Sequence, residues 1–276
     1  HPAEDARYVI PPRPFPDTHE LRRMAADFKH SARRMDDAWG TILEALDETG
    51  VVENTVVFCF TDHGLQWPLH IANVGEHGNA AYLVIRGRAE LSGGKVIDEM
   101  VSLMDLFPTV CDLVGLDEPD WLQGRSLLPL VSSDVERLHD QLFFEQTYHA
   151  AYEPMRAVRT ERYIYIKRFD NREQLVLPNT DDTAAKEALL GAEWREEPRT
   201  QEMLYDVYFD PDQQNNLIDE ASKQTIAEEM RTALADWMNK TDDPLLHGPV
   251  PLPPGVMSTD PDAFSPDEQP MLIGDR

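Results

Sequence analysis

One apolar stripe predicts a long helix near the start of the chain. Apolar residues recur at spacings of three or four from Leu21 to Leu46, as they do along one face of an α-helix. Asp17 and Glu20 form a D-x-x-E start signal of the capping-box type, and Gly50 follows the last apolar position. The apolar face of this helix carries Met24, Phe28, Ala32, Met35, Trp39 and Ile42.

Two continuous apolar runs predict buried strands. TVVFCF (55–60) and AYLVIRG (81–87) are rich in β-branched and aromatic residues and do not alternate with polar ones. Such runs are typical of strands covered on both faces, as in a parallel sheet. The segment 102–115 then has helical periodicity, with Pro108 kinking or starting a helix. Helix, strand, strand and helix in this order predict an α/β fold.

The pattern changes after Pro129. Residues 141–149, 155–160 and 162–169 are short strand-like runs separated by turn residues. Within the third run, Y-I-Y-I-K alternates as a half-exposed antiparallel strand would. A helix is predicted at about 221–239. Its apolar face carries Ile226, Met230, Leu234 and Trp237.

These changes predict a division into three parts. Residues 1–135 form part of an α/β core domain, and 136–246 form a smaller antiparallel α+β subdomain. Residues 247–276 form an extended, acidic, proline-rich tail that wraps or dangles. Eight of the 21 prolines lie between residues 244 and 270, and closely spaced prolines favour an extended chain.

The composition of the chain excludes some classes of binding partner. The 25 basic and 51 acidic residues give a formal net charge of −26, which argues against binding nucleic acid or an anionic membrane surface. An anionic substrate therefore needs a metal ion or local basic groups to reverse the field. The sequence has no apolar run long enough for a transmembrane helix. Cys59 and Cys111 lie in apolar stretches and are expected to be buried free thiols, which favours a reducing compartment such as the cytoplasm.

The sharpest chemical signal is T-D-H-G (61–64), directly after the first predicted strand. In open α/β sheets, functional side chains collect beyond the carboxyl ends of strands. Asp62 offers a hard oxygen and His63 an imidazole nitrogen, and both suit a divalent cation. Two adjacent residues do not complete a site. The plainer alternative is a strand-end turn in which Asp62 accepts backbone hydrogen bonds and His63 is exposed.

Three further residues are candidates for anion binding. His70 and His149 suit an anion or a proton transfer, and Arg156, which is close to His149 in sequence, suits a sulfate, phosphate or carboxylate. The alternatives are exposed loop histidines and an arginine on a surface strand paired with nearby acids. The sequence contains no dinucleotide-binding, P-loop, zinc-protease or serine-hydrolase motif.

The order of segments resembles the sulfatase family, within the alkaline-phosphatase-like superfamily. The resemblance to that family's second half begins at PFPDTHELRRMAADFKHSARRMDDAWGTILEALDETGVVENTVVFCFTDHG. It continues through LVIRG, GGKVIDEMVSLMDLFPTVCDLVGL and LYDVYFDPDQQNNL, and covers nearly all of residues 8–246. The branch that it resembles most is that of bacterial proteins similar to heparan N-sulfatase (sulfamidase).

The resemblance implies an alkaline-phosphatase-like mixed sheet sandwiched by helices, with a smaller C-terminal antiparallel subdomain. It also implies metal-dependent hydrolysis of a small anionic sulfated substrate, a sulfate ester or a sulfamate. Asp62 and His63 match the family's second pair of metal ligands, for calcium or alternatively manganese or magnesium. The family's nucleophile is a formylglycine made in a C/S-x-P-S/A-R motif. This chain contains no such motif, so we expect no catalytic residue within it.

The chain also departs from the family pattern. The family has a lysine or arginine nine residues after the metal-binding aspartate, whereas this chain has Ile71, and the neighbouring His70 replaces that cation only if protonated. The segment 73–81, NVGEHGNAA, differs as well. Two alternatives therefore stay open: a phosphodiesterase or phosphonate hydrolase of the same superfamily, and a catalytically inactive binding module.

The chain begins in a proline-rich segment without an initiator methionine or a signal-peptide pattern. Together with the resemblance, this predicts the C-terminal half of a longer hydrolase that is inactive alone. Its partner would be the N-terminal half of the same protein or a second chain. A parallel sheet separated from its first half exposes strand edges and apolar faces, so a partner chain or a homo-oligomer is expected.

Overall fold

The computed structural model describes residues 3–87, 91–196, 198–269 and 271–274. The helices are α1 (His19–Thr49), α2 (Glu76–Asn79), α3 (Leu106–Val114), α4 (Leu128–Val131), α5 (Ala184–Gly191) and α6 (Gln224–Thr241). The strands are β1 (Val57–Phe60), β2 (Leu83–Arg86), β3 (Leu142–Tyr148), β4 (Tyr152–Arg159), β5 (Tyr163–Arg168), β6 (Glu202–Asp206), β7 (Met257–Ser258) and β8 (Leu272–Ile273).

The chain divides into two compact units. The larger unit consists of residues 1–37, 63–80 and 143–276, and the smaller unit consists of 38–62 and 81–142. The division predicted from sequence, with boundaries at residues 135 and 246, stays a prediction.

A four-stranded sheet in the order β3-β4-β5-β6 organises the larger unit. β5 pairs antiparallel with both β4 and β6, which confirms the antiparallel pairing predicted for this part of the chain. β6 is an additional strand that the periodicity did not reveal. One face of the sheet packs on α6 through Val158, Tyr165, Leu204, Met230 and Leu234, so the predicted helix over 221–239 and its apolar face are confirmed.

The other face of the sheet is covered too. Its core residues are Met155, Ala157, Ile164, Ile166, Met203 and Val74. The half-exposed strand predicted from Y-I-Y-I-K is therefore wrong, because Ile164, Tyr165 and Ile166 are all at most 4% exposed. β5 is a central strand, and Tyr165 supplies a buried ring to the face that the alternation assigned to solvent, with the partly buried Tyr163 beside it.

The predicted long helix is confirmed as α1, but its first residue differs from the prediction. The Leu21 amide donates to Thr18 Oγ1 at 3.3 Å, so Thr18 caps the helix, and Asp17 instead binds the guanidinium of Arg22. After Thr49 the chain leaves the helix through Gly50, whose φ is +71°. The apolar stripe is not fully covered: Phe28, Met35 and Ile42 are 44–49% exposed.

The smaller unit contains a two-stranded sheet. β1 and β2 pair antiparallel, from Val57 opposite Arg86 to Phe60 opposite Leu83. The parallel pairing and double-sided burial expected from the two apolar runs are therefore wrong for these strands, since Phe60 is 42% exposed. An apolar run indicates that a strand is buried, but it does not indicate whether the strand pairs parallel or antiparallel. Cys59 is half-buried rather than buried, with its Sγ 3.5 Å from the Tyr82 hydroxyl.

A buried carboxylate fixes the start of α3 in the smaller unit. Asp105 is fully buried and accepts hydrogen bonds from the amides of Ser102 and Arg125, both at 2.8 Å, and from His139 Nε2 at 2.9 Å. Pro108 lies in the first turn of the helix, where proline is tolerated. The predicted start of a helix at Pro108 is confirmed within one turn.

The C-terminal tail packs along the larger unit. The Thr259 amide donates to the Ala150 carbonyl at 2.8 Å, and the Val250 amide donates to the Tyr152 hydroxyl at 3.1 Å. Of the two expected arrangements, wrapping is confirmed. Among the described residues, no helix combines the length and the apolar character needed to cross a bilayer.

Candidate functional site

Asp62 and His63 lie in a bend just beyond the end of β1. The Thr61 amide donates to the Tyr82 carbonyl at 3.3 Å, so pairing beside β2 continues to this residue. Both Asp62 and His63 have exposed side chains. The pair thus occupies the strand-end position that T-D-H-G predicts, and its role as metal ligands stays a prediction.

The glycine of T-D-H-G has a steric explanation. The Gly64 amide donates to the Gly78 carbonyl at 3.0 Å, which brings two stretches of backbone together. A Cβ at Gly64 would lie 1.7 Å from the carbonyl oxygen of His77. Only glycine permits this approach, so the bend that carries His63 depends on it.

A backbone contact selects the tautomer of His63. Its Nδ1 lies 2.9 Å from the carbonyl oxygen of Gly64. Because a carbonyl only accepts, Nδ1 carries the proton of the neutral ring and the lone pair lies on Nε2. Metal-binding histidines are commonly oriented in this way by a carbonyl or carboxylate on the other ring nitrogen. His63 therefore suits a cation bound through Nε2.

The donor set fits a cation only in part. An aspartate oxygen and an imidazole nitrogen are acceptable to calcium, magnesium or manganese, but such ions take more than two ligands. Within the described ranges, no group of three histidine, cysteine, aspartate or glutamate side chains is arranged to hold a metal ion. Asp62 and His63 alone therefore supply two of the ligands that such an ion needs.

His70 lies in the interior of the larger unit. It is 1% exposed, its Nε2 is 3.2 Å from the Arg13 carbonyl, and its ring stacks on His77 with centroids 4.5 Å apart. Burial, reinforced by His77, lowers the pKa of His70 to about 4. His70 is thus uncharged near neutral pH, and the structure does not support it as the cation that is missing at Ile71.

Arg156 is also interior. Its side chain is 1% exposed, with Nε 2.5 Å from an oxygen of Asp243 and Nη1 2.7 Å from the Gln146 carbonyl. These are the contacts of a structural arginine, and they give no support to the predicted contact with substrate. The contact of Arg156 with substrate stays a prediction. The alternative, a surface arginine paired with nearby acids, holds only for the pairing, because Arg156 contacts both Asp243 and the exposed Glu145 but is itself 1% exposed.

His149 is the most accessible of the three predicted substrate residues. It lies in the turn between β3 and β4, with an exposed side chain and its amide 3.2 Å from the Ala151 carbonyl. A substrate contact at His149 stays a prediction. Sequence reasoning did not single out Glu76 and Asp212, which belong to the larger unit. Glu76 pairs with Arg159 and Asp212 with His77, and each partner is more than 80 residues away in sequence.

Two family models match the chain. The sulfatase model matches residues 1–116, and the model of the C-terminal part of N-sulphoglucosamine sulphohydrolase matches residues 76–190. Together the two models cover residues 1–190, and over this range the chain is similar to the sulfatase family.

Curated relatives agree with this assignment. The chain is 28% identical to human N-sulphoglucosamine sulphohydrolase over 295 positions, covering 98% of this chain and 57% of that protein. It is 25% identical to an ulvan-active sulfatase of Formosa agariphila over 254 positions, covering 87% of this chain and 42% of that protein. The chain thus spans about half the length of the curated relatives it matches.

Solved structures share the fold. A candidate sulfatase from Bacteroides thetaiotaomicron superposes with a TM-score of 0.66 at 23% identity, over 84% of this chain and 46% of that one. The phosphonate monoester hydrolase of Agrobacterium radiobacter superposes with a TM-score of 0.61 at 21% identity, over 80% of this chain and 42% of that one. The predicted alkaline-phosphatase-like α/β class is confirmed.

Proposed function

We propose that this chain is part of a metal-dependent sulfatase that hydrolyses a sulfate ester or a sulfamate on a small anionic substrate. The observation that carries the proposal is the placement of Asp62 and His63 directly beyond β1, with the His63 lone pair on Nε2. The matches to the two sulfatase models and the similarity to N-sulphoglucosamine sulphohydrolase support the reaction class.

In this proposal Asp62 and His63 would be two of the ligands of a divalent cation, calcium or alternatively manganese or magnesium. Such an ion offsets the charge of a sulfate and polarises its sulfur, which lets a chain with a net charge of −26 accept an anion. The exposed His149 is the remaining candidate for a contact with substrate. Within this chain we assign no catalytic residue.

The nucleophile and the other metal ligands come from outside these 276 residues in this proposal. The C/S-x-P-S/A-R motif from which the family makes formylglycine does not occur in them. We therefore propose that the chain acts together with the N-terminal half of the same protein or with a second chain, and that it does not turn over substrate alone. A cytoplasmic location stays a prediction.

One observation favours a second candidate, a phosphodiesterase or phosphonate hydrolase. Ile71 stands where the family pattern has a sulfate-binding cation, and a phosphonate monoester hydrolase shares this fold. Phosphoryl and sulfuryl transfer need similar electrostatic stabilisation, so one fold serves both. A third candidate is an inactive binding module.

A rate comparison on the natural protein that contains this chain tests the proposal. Turnover is measured on 4-nitrophenyl sulfate, N-sulfoglucosamine, bis(4-nitrophenyl) phosphate and a phosphonate monoester. We expect the sulfated compounds to be preferred, and Asp62→Asn to lower kcat/KM by at least about 100-fold. Asp98→Asn is the control, because Asp98 is an exposed aspartate in a loop of the same unit.

Faster turnover of the phosphorus compounds supports the second candidate and contradicts the first. No turnover of any compound by the folded natural protein supports the binding module. Turnover of sulfate esters by residues 1–276 alone contradicts the shared site.

A further inference from the structure

A strained loop surrounds His70 in the larger unit. Leu69 and Ala72 have φ values of +67° and +50°, in the left-handed region that residues other than glycine rarely adopt. Residues 63–75 contain no helix or strand. Side-chain contacts therefore supplement a few backbone hydrogen bonds, such as those from the His70 and Ile71 amides to the Trp67 carbonyl, both at 3.0 Å. A strained backbone persists only where its surroundings fix it.

His70 provides several of these contacts while it is neutral. Its ring stacks on His77 at 4.5 Å, meets Phe15 edge-on at 6.1 Å and lies 3.2 Å from the Arg13 carbonyl through Nε2. Because the carbonyl only accepts, Nε2 holds the ring's proton and a second proton would go to Nδ1. That nitrogen is buried and has no hydrogen-bond partner among the described residues, so protonation there is costly.

Charged and titratable groups from three other segments face the same space. His70 lines a cavity of about 170 Å³ together with His77, Arg168, Tyr205 and Asp212. His77 Nε2 is 3.5 Å from an Asp212 oxygen. A proton on His77 thus faces a carboxylate, whereas a proton on His70 faces no acid directly and has a second imidazole stacked on its ring.

The Asp212 carboxylate lies near Arg13 as well as near His77. Its other oxygen lies 3.9 Å from the guanidinium of Arg13. The guanidinium of Arg168 adds a positive charge to the cavity wall, and its own carboxylate partner is Glu153, 2.8 Å from Nη1. Because the nearby carboxylates already pair with other groups and Arg168 adds a positive charge, this arrangement disfavours a positive charge on His70.

We propose that His70 is an acid-sensitive latch: while uncharged it holds the strained loop closed against the larger unit, and its protonation releases residues 63–80. The released segment begins with His63, so acid would loosen the backbone that positions this residue. The proposal rests on contacts within the larger unit and does not depend on the proposed hydrolase activity.

The sign of the pH dependence follows from where His70 binds its proton. In the closed state its pKa is about 4, against 6.5 for an ordinary histidine. The open state therefore binds more protons between these two values, and opening becomes easier as the pH falls through that range. Between pH 7.5 and 5.5 we expect the opening equilibrium constant of this segment to rise by about tenfold.

Hydrogen exchange on the natural protein tests the latch. Exchange of peptides within residues 63–80 is followed at pH 7.5, 6.5 and 5.5 and corrected for the intrinsic pH dependence of exchange. We expect opening to increase about tenfold in these peptides, with little change in peptides of β4 and β5. His70→Gln should abolish the pH dependence, and His149→Gln, which replaces an exposed histidine of the same unit, should leave it intact.

Three results would overturn the proposal: pH-independent exchange in the wild type, an unchanged pH dependence in folded His70→Gln, or an equal increase throughout the larger unit. Ring titration by NMR decides the matter if His70→Gln does not fold. A wild-type His70 ring that stays neutral down to about pH 4 supports the latch, and one that titrates near 6.5 contradicts it.

Discussion

Arg156 and Asp243 form a forked ion pair inside the larger unit although they are 87 residues apart in sequence. Nε lies 2.5 Å from one carboxylate oxygen and Nη2 lies 3.1 Å from the other. Asp243 also accepts the Leu245 amide at 2.9 Å, so the pair ties β4 to the chain that follows α6. The arginine that the sequence offers as a ligand for substrate thus already has a carboxylate partner.

The first prediction concerns the stability that this pair supplies. Asp243→Asn removes the buried counter-charge of a buried guanidinium and leaves only the exposed Glu145, 3.6 Å from Nε, so we expect the free energy of unfolding to fall by about 3 kcal/mol. Asp242→Asn is the matched control, since the neighbouring Asp242 is 88% exposed and should change stability by less than about 1 kcal/mol. Urea unfolding measures both. Equal effects of the two substitutions would show that the buried ion pair does not stabilise the fold more than an exposed aspartate does.

The second prediction concerns the buried carboxylate of the smaller unit. Asp105→Asn replaces one carboxylate oxygen by an amide NH2 group, which cannot accept the hydrogen bonds from a backbone amide or from His139. We expect a destabilisation of about 2–3 kcal/mol. Asp117→Asn, at an exposed position after α3, is the control. Thermal unfolding measures the difference. A Tm for Asp105→Asn that matches the control would contradict the structural role given to this aspartate.

The third prediction concerns Ile71. If the protein binds sulfate as its family resemblance implies, Ile71→Lys restores a cation beside the substrate and should lower KM for a sulfate ester by about tenfold, through a charge-assisted contact of roughly 1.5 kcal/mol. Ile71→Met controls for the change of shape. The measurement is steady-state kinetics on the natural protein. Identical KM values for the two variants would remove this position from the substrate site.

The fourth prediction concerns association. The smaller unit exposes Phe107 and Trp121, whose rings are 6.2 Å apart and whose exposures are 53% and 74%. Clustered exposed apolar side chains promote association, so residues 1–276 should self-associate in sedimentation velocity. Trp121→Ser should weaken that association, whereas Lys240→Ser, at an exposed position of α6, should not. A stable monomer without any partner polypeptide would contradict this expectation.

The hydrophobic periodicity predicted those helices and strands whose pattern lies within one continuous segment. The α1 stripe, the short runs of β3 to β5 and the apolar face of α6 each lie within one segment, and all three predictions hold. The pairing of β1 with β2 was predicted in the wrong direction, because an apolar run carries no information about its neighbour's orientation. β6 and α5 escaped prediction because their sequences lack strong alternation or a wide apolar face.

Residue types identified candidate ligands but not their surroundings. Asp62 and His63 lie where a strand-end motif is expected, since the motif and the strand are adjacent in sequence. His70 and Arg156 turned out to be interior because their partners, Arg13 and Asp243, lie 57 and 87 residues away. No sequence pattern marks partners at such distances, so the same residue types suggested a surface role.

Calorimetric titration tests the central claim most directly. Calcium, manganese and magnesium are each titrated into the natural protein that contains this chain, in the wild type and in the Asp62→Asn, His63→Gln and His149→Gln variants. We predict that the wild type binds at least one of these ions, that both substitutions at the end of β1 weaken binding by more than about tenfold, and that His149→Gln leaves it unchanged. Equal affinity in the wild type and in folded Asp62→Asn, or no binding of any of the three ions, would contradict the account.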